Sequence, residues 1–197
     1  MSETGSVKFT CEHIVRQVAP FAEFHELNAC RQQLLEARLI GVDSRGVGYG
    51  NLSIRAAEAR AFYITGSGAS ASKDLDMSGV ARVTAFDFDL NWLQCEGVVT
   101  ASSESLTHAA VYESDPRAGA VIHCHHAELW ARLRSRVPTT SHEVEYGTPA
   151  MAREVQRLFC ETDVRKQQIF AMGGHPDGLV SFGESMRGAL AVLHSFL

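Results

Sequence analysis

Apolar positions along the chain change period several times, and each change marks an element. From Phe24 to Ile40 the apolar residues Leu27, Leu34 and Leu35 recur at helical spacing, and the run ends at Gly41, a residue type that closes helices in the left-handed conformation. An amphipathic opening helix is expected there. GVGYGNLSIR (46–55) is glycine-rich and leads into a short strand; AFYIT (61–65) is a second, β-rich run that stops at the glycine cluster TGSGAS (65–70). ARVTAFDFDLNWL (81–93) alternates and breaks near Asp89 and Asn91, which predicts an antiparallel hairpin. SSESLTHAAVYESDP (102–116) places Leu106, Ala109, Ala110 and Tyr112 on a helix that must stop before Pro116. AGAVIHCH (118–125) reads as a buried strand and AELWARLRS (127–135) as the helix after it. Pro149 opens a helix through Cys160. QIFAM (168–172) and DGLVSF (177–182) are strands around a GGHP turn, and 184–197 is a closing helix. Strand pairs tighter than a parallel crossover permits, interleaved with helices, predict a mixed α/β sheet that is largely antiparallel.

Composition narrows this to one domain spanning 1–197, with 1–20 as a flexible N-terminal extension. At 197 residues and 45% apolar content the chain can bury one substantial core. Eighteen Lys and Arg against 23 Asp and Glu give a net charge of −5, with the basic residues scattered. Nucleic acid is not the expected partner. The first residues contain no apolar leader core, and no apolar run approaches the ~18–20 residues needed to span a bilayer. A soluble, cytoplasmic protein without membrane attachment is therefore expected. Five cysteines, Cys11, Cys30, Cys95, Cys124 and Cys160, are widely spaced with no CxxC pair. Reduced thiols fit better than a disulfide framework or a cysteine zinc site.

The chemistry concentrates in "AVIHCHHAELW" (120–130). Strand side chains alternate between faces, so His123 and His125 point one way, Cys124 and His126 the other. Two imidazoles on one face can share a divalent metal, but zinc needs at least a third protein ligand. His175, in AMGGHPDGL, is the best candidate: Gly173, Gly174 and Pro176 build a turn that can carry an imidazole inward. The ordinary role of a strand-end histidine is a structural hydrogen bond, and the pattern by itself leaves both open. Two other HxH metal patterns fit poorly. The metallo-β-lactamase pattern HxHxDH fails at Ala127, and the cupin pattern fails because Glu128 comes only three residues after His125.

Glu104 follows Ser102 and Ser103 at the start of a predicted helix. An acidic residue there can simply offset the macrodipole; beside a metal it can be a ligand or a general base. The two serines with the helix's first N–H groups form an anion site, to which GNLS (50–53) and TGSG (65–68) add donors. No GxxxxGK[ST] or strand-borne GxGxxG is present, which disfavours a nucleotide site.

Taken in order, GNLS, TGSG, SSE, HxH and a glycine-flanked histidine resemble the class II aldolase/adducin family. That family includes fuculose- and rhamnulose-phosphate aldolases, ribulose-5-phosphate 4-epimerase and methylthioribulose-phosphate dehydratase. The resemblance runs from about Phe24 to Gly183, with fourteen residues from Asn51 to Thr65 and nineteen from Glu104 to His123. It implies a three-layer α/β/α sandwich around a central, mainly antiparallel mixed sheet, assembled as a homotetramer. It implies Zn2+, or another divalent metal such as Mn2+, Co2+ or Fe2+, on His123, His125 and His175. Glu104 is then the acid/base residue, and Asn51, Thr65, Gly66, Ser102 and Ser103 bind the phosphate of a small-molecule substrate. The implied activity is that of a metal-dependent lyase, aldol cleavage through a metal-stabilised enediolate. Dehydration, 4-epimerisation, decarboxylation, or a non-catalytic adducin-like module are the alternatives. The chain departs from the family in having no tyrosine after Tyr146 to serve as the C-terminal proton donor. Tyr146 is the candidate substitute, and Glu143 falls near the position of the epimerase's catalytic aspartate. The GGHPDG turn also differs from the family's asparagine-histidine-glycine form.

Overall fold

The computed structural model describes residues 8–71 and 74–197. Eight strands form one sheet in the order β1-β7-β6-β5-β4-β8-β10-β9. They are β1 (Thr10–Val15), β4 (Asn51–Arg55), β5 (Phe62–Thr65), β6 (Val80–Asp87), β7 (Trp92–Gly97), β8 (Ala120–His125), β9 (Ile169–Ala171) and β10 (Gly178–Gly183). Within this sheet only β1 with β7 is parallel; the other pairings are antiparallel. A small separate hairpin, β2 (Gly41–Val42) with β3 (Gly48–Tyr49), precedes β4 in the chain.

Helices cover both faces, because alternate residues of the strands carry apolar side chains to both. On one face α1 (Phe24–Glu36), α3 (Ala127–Leu133) and α6 (Met186–His194) bury Leu27, Leu34, Leu129 and Leu190 against Leu52, Ile122 and Leu179. On the other, α2 (Ser105–Ser114) and α4 (Pro149–Glu161), followed by the short α5 (Val164–Gln167), pack Leu106, Ala110, Val155 and Phe159 against Phe62, Val121, Val180 and Phe182. This is the expected three-layer α/β/α sandwich. Among the described residues no helix is long and apolar enough to cross a membrane.

Two expectations change. Residues 1–7 of the expected N-terminal extension lie outside the described residues, but Thr10–Val15 forms an edge strand of the sheet. Its alternation is masked in the sequence because Ile14 and Val15 lie at the edge and stay exposed, so it shows no half-buried pattern. The opening helix ends at Glu36, not at Gly41. Arg38 takes the left-handed conformation (φ 58°), and the N–H groups of Arg38 and Leu39 return to the carbonyls of Leu35 and Leu34. That is a Schellman closure, sealed by Leu39 packing beside Leu34, and it frees Gly41 to start β2.

β8 occupies the position that matters most. It lies between β4 and β10 with Asn51 of β4 and Val180 of β10 opposite His123, and Gly178 opposite His125. The loops after β5 and before α2 open at the same end of the sheet, joined by a bridge between Gly66 and Ala101.

Candidate metal centre and catalytic site

His123 and His125 project from the same face of β8, as the alternation requires. Their Nε2 atoms are 3.1 Å apart. His175 arrives from the turn between β9 and β10, its ring centre 5.3 Å from that of His123 and 4.7 Å from that of His125. One nitrogen from each of the three lies within 4.8 Å of the others.

The turn works because its glycines are pressed against backbone. A Cβ on Gly173 would stand 2.2 Å from the Thr140 carbonyl oxygen, and one on Gly174 2.0 Å from that of Val144. Only hydrogen in place of a side chain lets this turn dock on the 140–144 segment and aim His175 inward.

These three residues fit a divalent metal. Tetrahedral zinc with nitrogens at ~2.0–2.1 Å sets its ligands ~3.3 Å apart, close to the His123–His125 spacing. His123 Nδ1 lies 3.2 Å from the Leu179 carbonyl, so Nδ1–H donates there and Nε2 keeps its lone pair for the centre. Burial, reinforced by the neighbouring imidazoles, pushes His123 well below the usual histidine range. Burial likewise takes His125 down to about 4 and His175 to about 3. Three neutral imidazoles are the form a metal requires.

Glu104 completes the floor. It is 2% exposed, its Oε2 accepts a hydrogen bond from Thr107 (2.7 Å), and its Oε1 lies buried without a partner, 3.9 Å from His175 Nε2. Burial pushes its carboxyl up to about 7, against the opposing pull of Thr107 and Lys8. A carboxyl that titrates near neutrality, with one oxygen free, can take and return a proton. It stands at the N-cap position of α2 but makes no side-chain cap hydrogen bond.

Two connected cavities open onto this cluster. The inner one, about 180 Å3, is walled by Gly66, Ser67, Gly68, Ser70, Ser102, Ser103 and Asn51, with Glu104 and the three histidines at its base. The Asn51 Oδ1 is buried there without a partner. Ser102 Oγ donates to the Thr65 carbonyl (2.6 Å), tying the two loops together. The outer cavity, about 480 Å3, is bounded by Lys8, Arg38, Arg45, Tyr49, Tyr146 and Asp177. Tyr146 lines both, its ring 4.3 Å from that of His175. The expected site residues therefore converge, with one exception: Thr65 does not line either cavity, and its Oγ1 instead accepts the Leu52 N–H of β4. Glu143 is exposed and lines neither cavity. His126 serves as N-cap of α3, accepting the Leu129 N–H.

The family model for the class II aldolase and adducin N-terminal domain matches residues 44–196. This chain belongs to that family. Its fold resembles solved structures of sugar-phosphate aldolases, at low sequence identity. An L-fuculose 1-phosphate aldolase superposes with a TM-score of 0.68 at 19% identity, covering 90% of this chain and 82% of that one. The L-fuculose-1-phosphate aldolase of Thermus thermophilus gives 0.63 at 19%, covering 88% of each. A sugar-phosphate aldolase from Thermotoga maritima gives 0.65 at 15%, covering 87% and 88%. No curated protein matches this chain in sequence.

Sequence reasoning missed Lys8, Tyr49 and Ser70, and offered Ser67 only as part of TGSG. Lys8 places its Nζ 3.9 Å above the Tyr146 ring and 3.1 Å from Glu145. It was hidden in a stretch with no helical or strand period. Ser67 and Ser70 sit in the quoted glycine-serine cluster, where the residue types were visible but their direction was not.

Proposed function

We propose that this family member is a metal-dependent lyase of the aldolase type, acting on a small hydroxylated carbonyl compound that carries a phosphate. The observation that carries the reading is Glu104. Its free, buried oxygen stands beside three neutral imidazoles at the base of a cavity whose upper wall is hydroxyls and glycine backbone.

His123, His125 and His175 would hold zinc or another divalent ion. When bound, that ion supplies Lewis acidity to a carbonyl oxygen and a positive charge near Glu104. Ser67, Ser70, Ser103 and the backbone at Gly66 and Ser102 bind the phosphate end of the substrate, and Asn51 presents its side-chain amide beside it. Ser102 stays oriented by its bond to Thr65. Glu104 moves the proton at the carbon next to the carbonyl. Tyr146, against His175 and under Lys8, gives and takes the proton at the hydroxyl oxygen formed or consumed when the carbon–carbon bond breaks or forms. Exclusion of water at the base keeps the carbanionic electron pair from being quenched before Glu104 acts. Assembly as a homo-oligomer in the cytoplasm accompanies this reading.

Glu143, exposed in the single chain, adds nothing to the cleft that would favour epimerisation over cleavage. The deciding experiment incubates metal-loaded protein with a panel of sugar phosphates and hydroxy acids, in both directions, scoring aldehyde, double-bond and CO2 formation. Aldehyde release that disappears in Glu104→Gln is expected. Double-bond or CO2 formation without aldehyde would replace cleavage by dehydration or decarboxylation on the same residues.

A further inference from the structure

β1 is held to the sheet on one side only, through its parallel pairing with β7. Cys11 of β1 pairs with Leu93, and Cys95 is the next residue of β7 on the same face. The two sulfurs are in contact, 3.4 Å apart, although 84 residues separate them in the chain. Cys95 is buried and Cys11 half-buried at the sheet edge, packed against the core. Either sulfur, once ionised, accepts a hydrogen bond from the other thiol.

We propose that Cys11 and Cys95 are a reversible dithiol–disulfide pair, a covalent clasp that fastens β1 to β7. Closing the bond requires the sulfurs to approach from contact to about 2.05 Å; diagonal neighbours on paired strands start about 7–8 Å apart, so the backbone of the edge strand moves toward β7 as the bond forms. With a hydroperoxide, the Cys11 thiolate takes the terminal oxygen and becomes a sulfenic acid, and the hydroperoxide leaves as an alcohol. The Cys95 thiolate then attacks the Cys11 sulfur, forming the S–S bond and expelling the oxygen as water. With a low-molecular-weight disulfide, Cys11 forms the mixed disulfide and releases one thiolate, and attack by Cys95 releases the second. Either way the two cysteines lose two electrons and two protons, and the oxidant gains two electrons. The diagonal placement on neighbouring strands strains the bond, and strained disulfides are the easily reduced ones.

The clasp has a reach beyond the strand. Lys8 lies two residues before β1 and holds its ammonium over Tyr146 and against Glu145 at the mouth of the outer cavity. Fixing β1 fixes the segment that carries Lys8 there. This does not depend on which reaction the site performs.

The test uses the whole protein, reduced and then exposed to oxidised glutathione, with intact mass and non-reducing peptide mapping. Exposed Cys160 reports that the oxidant is active. The expected product has lost two hydrogen atoms, links the Cys11 and Cys95 peptides, reverts with dithiothreitol and melts on the order of 5 °C higher than the reduced form. Cys11→Ser, at the half-buried position, abolishes both the link and the shift. Glutathione on Cys160 with Cys11 and Cys95 still alkylatable, or a stable glutathione adduct on Cys11 that Cys95 never displaces, overturns the proposal.

Discussion

Glu104 and His108 stand one helical turn apart on the edge of α2, and both are wholly inside the protein. Burial shifts each toward its neutral form: the carboxyl up to about 7, the imidazole down to about 3. Their surroundings differ. His108 points under the sheet, where its Nδ1 meets Ser53 Oγ at 2.6 Å and Ser53 in turn meets the Tyr112 hydroxyl at 2.7 Å; it lines neither cavity. Glu104 points to a cavity floor among three other titratable rings. A perturbed proton affinity marks burial; chemistry needs free lone pairs that converge where a ligand can enter.

Alanine substitutions separate the two regions most strongly. His123→Ala, His125→Ala and His175→Ala should each weaken zinc binding by at least ~100-fold, measured by competition with a chelator, because three ligands are the minimum for a tight site. His108→Ala should retain the metal. Equal metal loss in His108→Ala would join the two regions into one functional unit.

In turnover, Glu104→Gln should cost roughly 100- to 10,000-fold with metal content unchanged. A smaller effect is expected from Gly174→Ala, whose Cβ would meet the Val144 carbonyl at 2.0 Å. Metal affinity should fall by about 10-fold, since the ligand turn moves as a body. Turnover assays for the first and calorimetric zinc titration for the second check these outcomes.

Stability should respond with opposite pH signs. Glu104 has its folded value raised, from 4.5 to about 7, so the folded state holds a proton that the unfolded state has released between those pH values. The contribution of Glu104 to the stability of metal-free protein therefore falls as pH rises from 4.5 to 7, by roughly 3 kcal/mol, against the opposite trend of the buried histidines, whose values are depressed. Glu104→Gln should recover most of that at pH 8 and little at pH 4.5, by denaturant titration. His108 is depressed, from 6.5 to about 3, so its contribution is present above pH 6.5 and lost as pH falls below it. Smallest of all, Ser53→Ala should cost ~1–3 kcal/mol, the penalty for stripping a buried imidazole of its partner, and leave metal binding intact.

How much of this was readable beforehand differs between elements. The hairpin of β6 and β7 shows in the alternation of 81–93, and its turn needs Asn91 in the left-handed conformation it adopts (φ 47°). β1 was not readable, because an edge strand with exposed Ile14 and Val15 has no one-sided pattern. HxH could be assigned to one face by counting, since the strand period is two residues. The glycine-flanked turn made His175 the candidate third ligand, but fifty residues of intervening chain left its direction undetermined, and the order of motifs shared with the family was what favoured its meeting HxH.

Local chemistry set the residue types and the element periods. The sequence alone determined a mainly antiparallel α/β fold, a pair of histidines on one strand face, a carboxylate at a helix start and hydroxyls in glycine loops, because each depends on neighbours within a few residues. Tertiary structure decided which of them meet. It buried Glu104 with one oxygen free, turned Thr65 away to bind β4, sent Glu143 to solvent, and brought Lys8 from a featureless stretch to the cavity mouth. Those outcomes depend on the packing of strands and loops distant in sequence, where the cost of burying each polar group is set by partners the local pattern does not contain.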